Sequence, residues 1–461
     1  MKKLLSILFS LIVVINLFGC GTNTDTVNED EPAATTNAAT ENYDGLMVGF
    51  GRVTCIPDDP LVHIAGGTAK DDPATDGLLD TIDITCVSLK KNNVTYLIFT
   101  VDIVDVTGYN TTIEKTIEKE LGIDPENVIF NGTHTHSAPT LKPGDSALPG
   151  AANYNIKFHD CSVEAAHAAV ADLSAVSEFS YGSIMTEDMV RVRHYLMNDG
   201  TTYGNGHGST ASGYKEHLYP ADEECQVIKF TRPAENKKDI ILFNLGAHAT
   251  IVSGTHTSSL SADFPFPARN YIESQGDYLC AYFIAAAGDQ IPGSKIASEV
   301  KNKKDHFAYG EQLGGYVLEC LEKNMTVSAT NDITLYYEDI YAKASGYAPY
   351  AEGEIPNKSE CSSVPTNTMT LGDIGLVFYP GEPFGSQGRY LKDNSPMFTF
   401  IITCSEDDQA YFPSPIAFQE GFYESKTTSF AEGAGEAIAA RFVEILTAMH
   451  EGNTPEPQKL Q

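Results

Sequence analysis

The sequence predicts an α/β (mixed α+β) protein of layered mixed β-sheets flanked by helices, gathered in a single domain. Three observations predict it. Short β-branched and aromatic runs recur along the chain, stretches of helical spacing stand between some of them, and other runs are joined by tight polar turns. TIDITCVSL, KKNN and VTYLIFTVDIV read in that order as a hairpin around a polar turn. TTIEKTIEKELGI follows, with Ile113, Ile117 and Leu121 on one helical face and Glu/Lys pairs on the others. In DPENVIFNGTHTHSAP, Pro125 and an acidic turn lead into a short buried strand that ends at two histidines. Further strands are expected at CQVIKFTR, DIILFNLGAHA, YLCAYFIAAA, ITLYYEDIYA, GDIGLVFYP and MFTFIITC, and helices near 156–173, 264–275, 305–323 and 431–449. No repeat of fixed period is visible, which disfavours solenoids and propellers.

The chain opens MKKLLSILFSLIVVINLFGC, a pair of lysines before an apolar run too short to span a bilayer, then small residues and a cysteine. This is the pattern of a bacterial lipoprotein signal. Cleavage after residue 19 and lipidation of Cys20 are expected, leaving an exported protein held to the cell envelope by acyl chains. Phe18 fits the lipobox imperfectly, so simple secretion is the alternative. Residues 20–43 are mostly Thr, Asn, Ala and acid, too polar to fold, and read as a tether. The folded domain is expected over 44–452, with a tail at 453–461.

A formal charge of -32, from 62 acidic against 30 basic residues, argues against nucleic acid as a partner, since phosphate binding needs basic clusters. Apart from Cys20 the cysteines are widely spaced with no CxxC, so neither a zinc ribbon nor a small disulfide scaffold is indicated. Several lie in apolar runs and read as small buried hydrophobes.

In a strand, alternate side chains share a face, so His134 and His136 of FNGTHTHSAPT would project together. Taken alone, that spacing favours two hydrogen-bonded structural histidines over a site. IILFNLGAHAT, however, ends a second buried strand at His248, and LVFYPGEPF ends a third at Glu382. DDQAYFPS places Tyr411 after a fourth run, and LSADF and AAAGDQIP add Asp263 and Asp289. Loops at the ends of buried strands are where rigid sheets position functional groups. Imidazoles, a carboxylate and a phenolate make an N/O shell suited to zinc, with bonds of about 2.0–2.2 Å to the usual ligands. His256 shares a loop with Asp263 and is a further candidate. His207 lies in a Gly/Ser-rich loop that reads equally as a substrate lid or a flexible connection. No phosphate-cradling glycine loop or Ser-His-Asp motif appears, so nucleotide and serine-hydrolase readings rank low.

In order along the chain, GFGRVTCIPDD, IFNGTHTHSAPT, GAHAT, LSADF, AAAGDQIP, FYPGEPF and the pair Tyr411 and Tyr423 resemble the neutral (non-lysosomal) ceramidase family. The resemblance covers the family's catalytic domain, about residues 44–450, without its C-terminal immunoglobulin-like domain. It implies a zinc-dependent amidase that cleaves the N-acyl bond of ceramide. Carried over, it makes His134, His248, Glu382 and Tyr411 the zinc ligands and His136 a hydrogen-bonding or proton-transfer group. It makes Tyr423 a contact to the scissile amide, and Arg191 a substrate-facing arginine, with Arg193 nearly as good a match. GDQIP carries Ile291 where the family usually has a serine. A related metal-dependent amidase or esterase acting on another lipid or cell-envelope fragment is the alternative, and a non-catalytic binding lipoprotein the third reading.

Overall fold

Burial along the strands follows the two-residue period of the pleat. In Val94–Val101, Tyr96 and Ile98 enter one apolar cluster while Leu97 and Phe99 enter another. Ile240 and Leu242 separate from Ile241 and Phe243 in the same way along Asp239–Leu245, and Leu376 and Phe378 from Val377 and Tyr379 along Ile374–Tyr379. Strands apolar on both faces demand cover on both sides of their sheets.

The computed structural model describes residues 43–59, 61–64, 74–106, 108–141, 148–204, 213–254, 258–293, 305–351, 353–406 and 410–461; Cys20, His207 and His256 lie outside them. Among the described residues the larger sheets are three. The first contains β1 (Met47–Thr54), β2 (Asp83–Lys91), β3 (Val94–Val101) and β4 (Val128–Gly132), and the second β5 (Glu178–Met185), β6 (Glu224–Thr231), β7 (Asp239–Leu245) and β8 (Tyr278–Ile284). The third contains β9 (Ile333–Lys343), β10 (Cys361–Leu371), β11 (Ile374–Tyr379) and β12 (Phe398–Thr403). The helices are α1 (Asn110–Leu121), α2 (Pro149–Ala171), α3 (Pro265–Ser274), α4 (His306–Lys323), α5 (Gly385–Asn394), α6 (Pro415–Glu420), α7 (Tyr423–Thr427) and α8 (Ala434–His450).

One apolar cluster is shared by all three sheets, with Val48 and Ile98 from the first, Ile228 and Leu242 from the second and Leu376 and Phe400 from the third. The opposite face of each sheet is covered by its own helices: α1 and α2, α3 and α4, and α5 and α8 respectively. Within each sheet an antiparallel hairpin is followed by a helix and then by a strand added in parallel. These units are β2–β3, α1, β4; β6–β7, α3, β8; and β10–β11, α5, β12. The unit recurs although no period marks the sequence, because its parts are set by burial pattern while its connections differ in length.

The KKNN turn is a two-residue loop in which Asn92 and Asn93 both have positive φ, 51° and 64°, the twist that matches a right-handed hairpin. The helix expected at 156–173 starts earlier, at Pro149, whose fixed φ suits a first helical position. β10 escaped the sequence because it reads CSSVPTNTMTL, polar and interrupted by Pro365. Pro365 is tolerated there since β10 pairs with β11 only from Asn367 onward. In the tail at 453–461, Gln458 accepts from and donates to the Tyr341 backbone, and its own N–H donates to Glu338 at 2.6 Å. Among the described residues the cysteines are free thiols, buried except for Cys361, and no helix is long and apolar enough to cross a membrane.

β1 packs so closely on α2 that a Cβ at Gly49 would collide with the Ala169 carbonyl, and one at Gly51 with the Ala165 carbonyl. Gly49→Ala is therefore expected to lower stability by about 1–3 kcal/mol or more, as overpacking does. Urea unfolding of the two proteins checks this, and an unchanged midpoint would contradict the contact.

Candidate active site

The candidate residues leave the C-terminal ends of strands that run parallel to a neighbour. After β4 the chain turns, and His134 takes a left-handed φ of 60°, a conformation non-glycine residues adopt at a cost and chiefly at functional sites. Strand alternation is therefore not what brings His134 and His136 together. The turn does so, with ring centroids 4.8 Å apart. Thr135 forms a parallel bridge with Ala249 and the His136 N–H donates to the Ala249 carbonyl at 3.1 Å, lacing this loop to the one after β7. His248 thereby comes within 4.9 Å of the His134 ring and 5.5 Å of the His136 ring, centroid to centroid. After β11, Glu382 pairs in parallel with Tyr411 in a short two-stranded ladder, and its carboxylate turns toward the histidines.

The imidazole orientations are set by main chain. His134 Nδ1 faces the Val104 carbonyl at 3.0 Å, with Cys404 Sγ at 3.4 Å, and His248 Nδ1 faces the Ala287 and Gln290 carbonyls at 2.8 and 3.0 Å. A carbonyl can only accept, so both Nδ1 atoms carry a proton, and in the neutral form of each ring Nε2 presents a lone pair to the site. Those lone pairs meet Glu382 Oε2 at 3.3 and 2.9 Å. Nitrogen and oxygen lone pairs at such distances repel unless a cation lies between them. Nε2 of His134, His136 and His248 and Oε2 of Glu382 are all buried without a hydrogen-bond partner.

The electrostatics of the cluster favour positive charge beside Glu382. Burial and then the neighbouring His134 and His248 hold His136 well below the usual histidine range. His248 is lowered too, chiefly by burial. Glu382 is held well below the carboxylate range because His134 and His248 outweigh its burial. Burial opposes charge on His134, but Cys404 and Glu382 outweigh it and hold its pKa well above the ordinary value. One proton can satisfy only one of these imidazoles, whereas a single divalent cation satisfies them all. The three histidines have ligand atoms all within 4.8 Å of one another, so His136 is as well placed to ligate as His134 and His248. Donor type and orientation both fit zinc.

No family model and no curated protein matches the chain by sequence. Solved structures match it in shape. The neutral ceramidase from Pseudomonas aeruginosa superposes with a TM-score of 0.70 at 14% identity, over 91% of this chain and 76% of that one. The fold is that of the neutral ceramidases. A second structure, a ceramidase complexed with C2, superposes with a TM-score of 0.69 at 14% identity, over 90% of this chain and 77% of that one.

Within this neutral ceramidase fold the other expected residues separate into two groups. Tyr411 is buried, its ring 5.8 Å from that of Tyr423, and the Arg193 guanidinium lies 5.3 Å above its ring. Arg193 is thus the arginine joined to the site side chains, whereas Arg191 donates to the Pro292 carbonyl and the Tyr195 hydroxyl. Asp263 is fully buried at φ 60° and accepts from the Val252 and Phe264 N–H groups, so it braces the turn after His248. Burial pushes its pKa up to about 6. Asp289 accepts from the Gly385 N–H at 2.8 Å and braces the start of α5.

Sequence reasoning missed His194, Tyr219 and Glu424. Glu424 is 1% exposed, bonded to Arg193 and His194, and His194 in turn meets the Tyr219 hydroxyl at 2.6 Å. The available signal was VRVRHY, where two arginines and an imidazole alternate with or adjoin apolar residues, together with the carboxylate following Tyr423 in GFYES. Burial opposes ionisation of Glu424, but His194 and Arg193 outweigh it and bring its pKa from 4.5 down to about 2. A depressed carboxylate stabilises the fold above its unfolded pKa and loses that contribution as pH falls through the folded one. The stability gap between wild type and Glu424→Gln is expected to shrink by about 1–3 kcal/mol between pH 5 and pH 2. Urea unfolding across that range tests it; a gap independent of pH would refute the ionised pairing.

Proposed function

We propose that the protein is a zinc-dependent hydrolase that cleaves an N-acyl amide, ceramide or a ceramide-like lipid. The observation that carries this reading is the clustering of the buried, unpartnered Nε2 atoms of His134, His136 and His248, two of which, on His134 and His248, approach Glu382 Oε2, at the strand ends of a neutral ceramidase fold. His134, His248 and Glu382 would hold the ion, with Tyr411 beside Glu382 as the fourth donor. When bound there, zinc supplies a Lewis acid for the amide carbonyl and lowers the pKa of a water toward about 7.

The chain's own groups do the rest. Left out of that set, His136 is neutral at pH 7, accepts a proton from the attacking water at Nε2 and returns it to the leaving amine. Arg193, charged at any working pH and held beside Tyr411 by Glu424, would supply the positive charge toward the developing oxyanion. Tyr423, 53% exposed at the outer edge of Tyr411, meets the amide from the solvent side. Ile291, buried where the family resemblance calls for a serine, supports a second reading as an amidase or esterase acting on another lipid or a cell-envelope fragment.

The soluble domain from residue 44 is expected to carry about one zinc per chain and to release fatty acid from an N-acyl sphingosine in a chelator-sensitive manner. His134→Ala and His248→Ala should each abolish both by elemental analysis and fatty-acid assay. Metal-free wild type would remove the enzyme reading, and zinc without release would favour the second substrate class. Lipidation of Cys20 is proposed from the signal pattern. Cys20→Ala should shift the protein from the membrane fraction to the soluble fraction of expressing cells, and unchanged fractionation would argue against the anchor.

A further inference from the structure

Glu424 follows Tyr423 in α7 and has both carboxylate oxygens engaged: Oε1 accepts from Arg193 Nε at 2.6 Å, and Oε2 faces His194 Nε2 at 3.0 Å. Both partners come from neighbouring positions of one distant segment. A largely buried ion pair of this kind, with Glu424 out of solvent and Arg193 nearly so, often stabilises no more than an apolar replacement would, so its presence calls for a geometric reason. The geometry supplies one. Arg193 Nη2 donates to the Gly288 carbonyl at 2.8 Å, and with Nε held by Glu424 the planar guanidinium is fixed at two points while its carbon lies 5.3 Å from the centre of the Tyr411 ring.

His194 extends the hold to the turn itself. Its ring stacks on Phe422 at 4.2 Å and leans on Phe384 at 5.7 Å, centroid to centroid. Phe422 precedes Tyr423, and Phe384 lies two residues beyond Glu382. α7 is a five-residue helix without a side-chain cap, and Tyr423 is itself half in solvent, so the placement of Tyr423 depends on what its buried neighbours grip.

Resting on the hydrolase reading above, we propose that Glu424 is a positioning residue: it clamps the Arg193 guanidinium against Tyr411 and, through His194, holds the turn that carries Tyr423. It touches neither the ion nor the substrate. Its loss acts on the transition state by letting Arg193 and Tyr423 drift, since donors held even about 1 Å out of place lose much of their effect. Outer partners of this sort typically change activity by about 10- to 100-fold.

The test combines a double-mutant cycle with a readout that needs no turnover. Glu424→Gln is expected to keep its zinc and lower kcat about 10- to 100-fold with little change in KM. Arg193→Lys should also lower kcat, and the double variant should fall no further than Arg193→Lys alone, since residues acting as a unit are not additive. In protein labelled with nitrogen-15 arginine, the Arg193 Nε–H signal, assigned by its absence in Arg193→Lys, should exchange slowly in wild type and fast in Glu424→Gln. Glu424→Asp, which keeps the charge on a shorter arm, should recover part of the protection and part of kcat. It also carries the cycle if Glu424→Gln fails to fold. Additive losses, or Nε–H exchange unaltered in the variants, would overturn the positioning role. A wild type that releases acid from no amide or ester overturns the hydrolase reading instead, and the exchange measurement still decides whether Glu424 fixes Arg193.

Discussion

The structure depends on how the parallel strands of three sheets are held together where they end. Buried side chains reach across from one sheet to the backbone of another. Thr100 in β3 donates to the Tyr282 carbonyl in β8 at 2.6 Å, Thr403 in β12 to the Ala285 carbonyl just after β8 at 2.9 Å, and Asn131 in β4 to the Thr403 carbonyl. Asn244 in β7 and Gln226 in β6 donate to the Ile401 and Thr399 carbonyls of β12 at 2.8 and 2.6 Å. A buried polar group left without a partner costs far more than a satisfied one contributes, so these bonds specify one mutual placement of the sheets. The loops that begin at those strand ends inherit that placement.

Rigidity then passes from the sheets to the individual donors through backbone carbonyls. His134 is aimed by the Val104 carbonyl and His248 by those of Ala287 and Gln290, each belonging to a segment that leaves the same group of strand ends. Gly288 allows the Glu382 backbone to approach, because a Cβ there would collide with the Glu382 carbonyl. Below the site, Arg269 of α3 grips Asp102 with two bonds of 2.9 and 2.6 Å, tying the helix of the second sheet to the end of β3 in the first. The histidine side of the site is therefore positioned by main chain, whereas its arginine and tyrosine side rests on a chain of side-chain contacts through Glu424 and His194. The two sides respond differently to mutation, since a carbonyl cannot be removed by substitution and a carboxylate can.

How much was legible follows from where each signal is written. The histidines of THTHS and HAT and Glu382 stand within a few residues of the ends of apolar runs, Tyr411 follows a fourth run after a short polar connection, and a run with a polar residue at its end is a local pattern. The inference that His134 and His136 face one way reached the right neighbourhood through the wrong geometry, since β4 ends at Gly132 and a left-handed residue makes the turn. Asp263 and Asp289 carry the same local pattern yet cap backbone N–H groups, because a carboxylate at a strand end serves equally well to hold a loop.

Most strands and helices, the first hairpin and the candidate donors nearest the strand ends were determined by the sequence alone, through side-chain periodicity and the chemistry of the residues that interrupt it. Tertiary structure decided the rest. Arg193 and Glu424 are 231 positions apart, and nothing local distinguishes Arg193 from Arg191 until a buried carboxylate selects one of them. The polar strand β10 exists because β9 and β11 pair with it on either side, and the docked C-terminus because Gln458 finds the Tyr341 backbone. These choices follow from which desolvated groups can satisfy one another across the fold, a condition met only once the sheets have come together.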